Sequence, residues 1–150
     1  KDLARLERRL EEEARMAARY GDGLPLDTHG EHYLVRAGAG GGDPLRLLVD
    51  TGATLTVLKP SVVGSIPGAE PAGRTVRIGT ANGVVSAPLY RIPALSLGPY
   101  RVDRPRVAVI DLAELDGVDG LLGMESLRGF DFRIDRAEQR LRLSRHEPSP

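Results

Sequence analysis

The chain has 150 residues, enough for one domain with a sizeable hydrophobic core. Basic and acidic residues number 21 each and aromatic residues make up only 4%, so neither a basic surface for nucleic acid nor a platform for stacking bases is predicted. Cysteine is absent, which excludes thiol nucleophiles, disulfides and cysteine-ligated zinc but leaves the cellular compartment open. No apolar run is long enough to span a bilayer and no signal peptide is visible, so membrane attachment would require a segment upstream of residue 1.

The first twenty residues differ from the rest of the chain in their helical periodicity. Leu3, Leu6 and Leu10 recur at helical spacing among Arg and Glu residues, and no Gly or Pro interrupts them. We predict an amphipathic helix and linker over residues 1–22, followed by a second unit over residues 23–150. The apolar stripe could pack on its own domain, which we favour, pair with a second copy, or continue a helix upstream.

From about residue 32 the pattern changes to short apolar and β-branched runs between Gly- and Pro-rich turns, which is typical of a β domain. Strands are predicted at His32–Ala37, Leu45–Val49, Thr54–Leu58, Thr75–Gly79, Val84–Leu89, Ile92–Leu97, Tyr100–Ile110, Phe130–Ile134 and Gln139–Leu143. Short helices are predicted at Pro60–Ile66 and Met124–Leu127. Asn82-Gly83 between two of the strands is a strong signal for a hairpin.

One carboxylate stands at the end of an apolar run. Leu47-Leu48-Val49 predicts a strand buried on both faces, and Asp50-Thr51-Gly52 follows it directly. Burying an unpartnered charge is costly, so a carboxylate at this position suggests a functional role. Asp-Thr-Gly is also a good turn cap, and this stretch alone leaves both interpretations open.

Other catalytic patterns do not fit the sequence. No Gly-x-Ser-x-Gly nucleophile elbow occurs, and the glycine-rich stretch 37–44 precedes a strand, so it is predicted to be a hairpin connection and not a phosphate-binding loop. His29, His32 and His146 are the candidate metal ligands, but a spacing of three on an extended segment should not bring the first two together. We therefore predict no metal site.

Three motifs in order resemble those of the retropepsin-like aspartic proteases. They are Asp50-Thr-Gly-Ala-Thr54, the Asn-Gly hairpin and Asp119-Gly-Leu-Leu-Gly-Met-Glu-Ser-Leu127. The resemblance is greatest to the bacterial branch, with a single Asp-Thr-Gly-Ala motif per chain, and it covers roughly residues 30–145. It implies a mainly β, retropepsin-type closed β-barrel (the acid protease fold) with one short helix in the C-terminal half. The N-terminal amphipathic α-helix precedes that fold and is not covered by the resemblance.

The resemblance implies an aspartic endopeptidase that acts as a homodimer on protein or peptide substrates, without a cofactor. In that family each chain supplies one Asp, and the two carboxylates share a proton. One Asp50 would take a proton from a bridging water that attacks the peptide carbonyl, while the protonated partner would donate to the carbonyl oxygen. The alternative is a non-catalytic peptide-binding or assembly module on the same fold.

The resemblance also assigns roles to residues around Asp50. Thr51 would bond across the dimer, and Gly52 would let the loop turn and offer its backbone to substrate. Ala53 and Thr54 would begin the substrate-facing rim. The hairpin tip would form a flap that closes over substrate, and its residues are Ala81, Asn82 and Gly83. A segment passing behind the loop would be formed by Leu121, Leu122 and Gly123.

Two features limit what the resemblance carries over. Glu125 stands where Asp or Asn is common in the family, so a family contact at that position does not transfer directly. The bacterial relatives are often tied to the inner membrane facing the periplasm. A periplasmic, membrane-tethered location is therefore a hypothesis for this chain that its own residues do not test.

Overall fold

The computed structural model of the protein describes residues 2–20, 23–80 and 83–146. Two helices, α1 (Asp2–Tyr20) and α2 (Pro60–Ser65), and a 3₁₀ turn (Met124–Leu127) lie in these ranges. The strands are β1 (Leu24–Pro25), β2 (Asp27–His29), β3 (His32–Ala37), β4 (Leu45–Val49), β5 (Thr56–Leu58), β6 (Glu70–Thr80), β7 (Gly83–Arg91), β8 (Ala94–Leu97), β9 (Tyr100–Asp103), β10 (Arg106–Val109), β11 (Gly120–Leu122), β12 (Phe130–Asp135) and β13 (Arg140–Arg145). The predicted mainly β fold is confirmed.

The largest sheet has eight strands in the order β2-β3-β4-β11-β5-β10-β7-β6. Strand β11 lies between β4 and β5, parallel to β4 and antiparallel to β5. Smaller sheets are formed by β1-β13-β12 and by β8-β9. Within the described ranges β2 and β6 are the edges of the large sheet and do not pair, so the predicted closed barrel is not found.

The central strands are covered on both faces, which explains why they read as continuous apolar runs. Leu47, Val49 and Leu122 pack into the main core, while Leu48 and Leu121 belong to a second cluster on the opposite side. This alternation follows from the two-residue period of side chains along a strand. The prediction that Leu47-Leu48-Val49 is buried on both faces is confirmed.

The predicted strand Tyr100–Ile110 is wrong, because the chain breaks in its middle. Strand β9 pairs with β8 in the two-stranded sheet, whereas β10 joins the large sheet beside β5 and β7. Arg104 between them has a left-handed backbone with φ of 45°, and Pro105 has no N–H to donate. The run of Val and Ile residues concealed this break.

Three leucines of the apolar stripe of α1 do not pack on the body of the protein. Leu3, Leu6 and Leu10 are 67%, 48% and 54% exposed, although the helix approaches β13. The interpretation that we favoured for these leucines is therefore wrong for the single chain, and the two others stay predictions. Among the described residues, no helix combines the length and the apolar character that crossing a membrane would need.

Candidate active site

Asp50 begins a tight turn at the end of β4, and we refer to residues 50–55 as the Asp50 loop. The Gly52 N–H donates to Asp50 Oδ1 over 3.1 Å, and the Ala53 N–H donates to the Asp50 carbonyl oxygen over 3.1 Å. Asp50 therefore caps its own turn, as the simplest interpretation of its sequence predicted. The side chain is only half-buried, and both Thr51 and Gly52 are exposed, so in the single chain the loop lies at the surface and not in the core.

The backbone of the loop does not itself require glycine at position 52. Gly52 has no left-handed φ, and a Cβ built there would lie 3.5 Å from Asp50 Oδ1, an ordinary van der Waals separation. A Cβ would therefore fit at position 52 in the single chain, and the roles that the resemblance assigns to Gly52 stay predictions.

The loop is held from behind by β11 and the 3₁₀ turn. The Asp50 N–H donates to the Leu122 carbonyl over 3.1 Å, the Met124 N–H to the Ala53 carbonyl over 2.9 Å, and the Glu125 N–H to the Thr54 carbonyl over 2.8 Å. Backbone groups from one short segment thus hold both ends of the loop.

Two glycines make this close approach sterically possible. A Cβ at Gly123 would fall on the backbone of Leu55, and a Cβ at Gly120 would fall on the carbonyl oxygen of Val57. Leu121 and Leu122, between these glycines, pack on opposite faces of the sheet. The sequence pattern Gly-Leu-Leu-Gly is therefore explained by a strand threaded between two others.

A buried pair of hydroxyl groups lies under the loop, and sequence reasoning missed it. Thr56 is fully buried, its Oγ1 accepts the Gly123 N–H over 3.0 Å, and it lies 2.7 Å from Ser126 Oγ. Both oxygens are thereby satisfied, as buried polar groups need to be. The only sequence signal was a Thr in an apolar β-branched run, where Thr is an ordinary strand residue.

Glu125 forms a bidentate ion pair with Arg106 of β10, which sequence reasoning also missed. The two N–H···O distances are 2.9 and 3.0 Å, and the side chains are 18% and 33% exposed. Hydrogen bonding from Arg106 lowers the pKa of Glu125, and partial burial opposes this effect. The same hydrogen bonds raise the pKa of Arg106. Glu125 stood out in the sequence only as a departure from the family pattern.

The β6–β7 hairpin continues on the far side of β10. Its strands are longer than predicted and pair up to Thr80 and Gly83, while Ala81 and Asn82 lie outside the described residues. Val76 and Ile78 of β6 pack against the apolar cluster that also contains Val57, Leu55 and Leu121. The hairpin is thus joined by apolar contacts to the strands that carry the Asp50 loop.

Two of the three histidines are paired across a turn. His29 and His32 face each other across the tight turn between β2 and β3, so the expectation that their spacing keeps them apart is wrong. His146 bonds to Asp131 over 3.0 Å at the closing hairpin. Within the described part of the chain no three His, Cys, Asp or Glu side chains are grouped to hold a metal ion.

Comparison with known proteins identifies the family. The family model for aspartyl proteases matches residues 35–126, more than half of the chain and all of the Asp50 loop, β11 and most of the 3₁₀ turn. The chain is similar to the crystal structure of a retropepsin-like aspartic protease from Rickettsia conorii, with 23% identity and a TM-score of 0.55 over 81% of this chain and 88% of that one. A search of curated proteins found no significant match. The chain belongs to the aspartyl protease family and has the retropepsin-like fold.

Proposed function

We propose that the protein is an aspartic endopeptidase whose active form is a homodimer, with one Asp50 from each chain in a shared site. The observation that carries the proposal is the exposed Asp50 loop, with its carboxylate only half-buried at the surface of a single chain. The chain contains Asp-Thr-Gly once, so a pair of such carboxylates requires a second copy. The family match over the loop supports the same conclusion.

The proposed chemistry uses one shared proton and one water molecule. The ionised Asp50 accepts a proton from the water while the water oxygen attacks the peptide carbonyl carbon. The protonated Asp50 of the other chain donates its proton to the carbonyl oxygen. As the tetrahedral intermediate collapses and its C–N bond breaks, the Asp50 that took its proton from water protonates the leaving nitrogen. The other Asp50, now ionised, takes a proton from a hydroxyl of the intermediate, so the pair again shares one proton. Because the Gly52 N–H donates to Asp50 Oδ1, it fixes the orientation of the carboxylate.

The geometry restricts how the rim would meet a substrate. The carbonyl oxygens of Ala53 and Thr54 already accept bonds from the 3₁₀ turn. In our proposal the side chains of these two residues and the backbone of Gly52 therefore face the peptide. The β6–β7 hairpin is proposed as the flap, with Ala81, Asn82 and Gly83 at its tip, and it would bind an extended substrate by strand-like hydrogen bonds.

The finer assignments belong to the same proposal. Thr51, exposed beside Asp50, is proposed to bond across the dimer. Residues 23–150 are proposed as the protease domain and residues 1–22 as a separate amphipathic helix and linker, a division that the exposure of Leu3, Leu6 and Leu10 supports. The bacterial branch is proposed from the single motif, and the Rickettsia conorii structure supports it.

The test compares the wild-type chain with Asp50→Asn in a peptide-library cleavage assay across pH. We expect wild type to cleave, Asp50→Asn to lose activity by at least about a thousandfold, and both to sediment as dimers of equal stability. Equal cleavage by the variant would refute the catalytic role. A monomeric wild type that neither cleaves nor binds a peptide-like aspartic protease inhibitor would support the binding-module alternative.

A chain lacking residues 1–22 tests the domain assignment in the same assay. We expect it to keep the unfolding cooperativity and the cleavage activity of the full chain. Loss of dimerisation in this variant would instead show that α1 controls the association of the two copies.

A further inference from the structure

We propose that Arg106 and Glu125 are positioning residues for substrate binding, because their ion pair fixes the 3₁₀ turn that holds the substrate-facing rim of the Asp50 loop. The inference rests on the proposed endopeptidase function. It concerns two side chains that would touch neither the substrate nor the reacting atoms.

The path from the ion pair to the rim is short and continuous. Glu125 holds Arg106 through its side chain and holds the Thr54 carbonyl through its own backbone N–H over 2.8 Å. The preceding residue, Met124, holds the Ala53 carbonyl over 2.9 Å. Any rotation of the 3₁₀ turn therefore moves both rim carbonyls together.

The 3₁₀ turn has little internal structure to keep it in place. It has only four residues and no side-chain cap, and the Arg128 N–H donates to the Glu125 carbonyl at its end. A short 3₁₀ turn has poor hydrogen-bond geometry and depends on its surroundings for its position. The two parallel N–H···O bonds of the ion pair fix its orientation as well as its distance.

Arg106 also joins the rim to the proposed flap. It is the first residue of β10 and lies opposite Arg91, the last residue of β7 in the hairpin. One side chain thus connects a strand paired with the hairpin to the turn behind the rim. The proposed flap and the rim of the Asp50 loop, which would enclose a peptide between them, are thus both connected to Arg106.

Asp50 itself is held by different contacts. Its N–H bonds to the Leu122 carbonyl, and its Oδ1 accepts the Gly52 N–H. Breaking the Arg106–Glu125 pair should therefore disturb the rim more than the carboxylate. In kinetic terms, KM should rise while kcat changes little.

The experiment is a double-mutant cycle with Arg106→Gln, Glu125→Gln and the double variant, assayed on a fluorogenic peptide that the wild type cleaves. We expect each single variant to raise KM about fivefold to tenfold, with kcat within about twofold, and the double variant to be no worse than Glu125→Gln. Glu125→Gln should have the larger effect, because Arg91 and Arg128 also act on Glu125 and would then face Arg106 without a carboxylate.

A matched control separates positioning from general stability. Arg142 and Asp135 form an ion pair of 3.1 Å, each 13% exposed, between β13 and β12 and away from the Asp50 loop. Arg142→Gln should lower the melting temperature comparably without changing KM. If any variant at the Arg106–Glu125 pair fails to fold, Arg106→Lys keeps the charge with a single donor group and should show the same selective rise in KM.

The outcomes distinguish this inference from the proposed function. Cleavage by wild type and not by Asp50→Asn supports the endopeptidase. Given that result, an unchanged KM in both Arg106→Gln and Glu125→Gln, or an equal rise in Arg142→Gln, would overturn the positioning role alone. Absence of cleavage by wild type would overturn the function first.

Discussion

Thr56 and Ser126 are 70 positions apart in the sequence, and their hydroxyl oxygens lie 2.7 Å apart in the interior. The contact joins β5, which follows the Asp50 loop, to the 3₁₀ turn that holds it. Thr56 is the more demanding partner, because its oxygen also accepts the N–H of Gly123.

This asymmetry predicts the order of two substitutions. Thr56→Val keeps the shape of the side chain but leaves the Gly123 N–H and the Ser126 hydroxyl without this oxygen, so we expect a loss of about 2 kcal/mol in the free energy of unfolding. Ser126→Ala leaves the Gly123 bond intact and should cost about 1 kcal/mol. Urea denaturation of both variants provides the measurement. A larger cost for Ser126→Ala would contradict the arrangement.

The contact of Gly123 with the loop predicts intolerance of even one methyl group. In Gly123→Ala the new Cβ would fall on the Leu55 backbone, and we expect a loss of about 3 kcal/mol in the free energy of unfolding. Gly64→Ala, in α2 with nothing within 4 Å, is the matched control and should stabilise by about 0.5 kcal/mol. Thermal unfolding of the two variants checks the contrast, and equal effects would contradict it.

Gly52→Ala should separate stability from activity. The chain has room for this methyl group, so we expect a change of less than about 0.5 kcal/mol in the free energy of unfolding. Under the proposed function the same group would stand between the loop and the peptide, so kcat/KM should fall at least about tenfold. Stability and cleavage would be measured on the same preparation. Full activity would show that substrate does not approach Gly52 closely.

The lowered pKa of Glu125 predicts the pH dependence of stability. The folded chain holds this carboxylate ionised below its ordinary pKa of 4.5, so the unfolded chain binds more protons in that range. The stabilisation is fully present above about pH 4.5 and is lost as pH falls through the lower folded value. The difference in unfolding free energy between wild type and Glu125→Gln should be constant from pH 7 to about 5 and should shrink below 4.5.

At acid pH the free energy of unfolding must be compared between wild type and Glu125→Gln, because the wild type alone does not isolate the effect of Glu125. Asp135 also has a lowered pKa, through the Glu138 N–H and Arg142, and will contribute to acid unfolding below its ordinary value of 3.8. This contribution is common to wild type and Glu125→Gln and cancels in their difference. A difference that grows as the pH falls would contradict the assignment to Glu125.

The sequence predicted those parts of the fold that depend on local pattern. The paired strands around Asn82-Gly83, the strand before Asp50 and the helix in residues 2–20 follow from turn chemistry and periodicity. The division of Tyr100–Ile110 could not be predicted this way, because apolar periodicity does not say which sheet each half joins. The local signal for the break is Pro105, which cannot donate to a sheet and restricts the backbone of Arg104 before it.

The sequence motifs of the candidate site were recognised, but the residues that hold the Asp50 loop in place were not. Asp50 and Gly123 belong to short patterns whose residue types are restricted by backbone geometry or chemistry. Thr56, Ser126 and Arg106 are ordinary residues whose role exists only because β11 brings distant segments together. The sequence does not specify which distant strands pair, so it contains no signal for such contacts.

The position of β11 in the sheet determines when the Asp50 loop can fold during synthesis. Strands β4 and β5 flank the Asp50 loop yet do not pair with each other, since β11 separates them. A ribosome-bound chain that stops before Gly120 therefore lacks the strand that closes the sheet, and closing so long a loop is slow. Hydrogen exchange on stalled chains should find the Asp50 amide unprotected until residues 120–127 emerge. Under the proposed function, a chain still being synthesised would therefore be unable to cleave other unfolded nascent chains nearby.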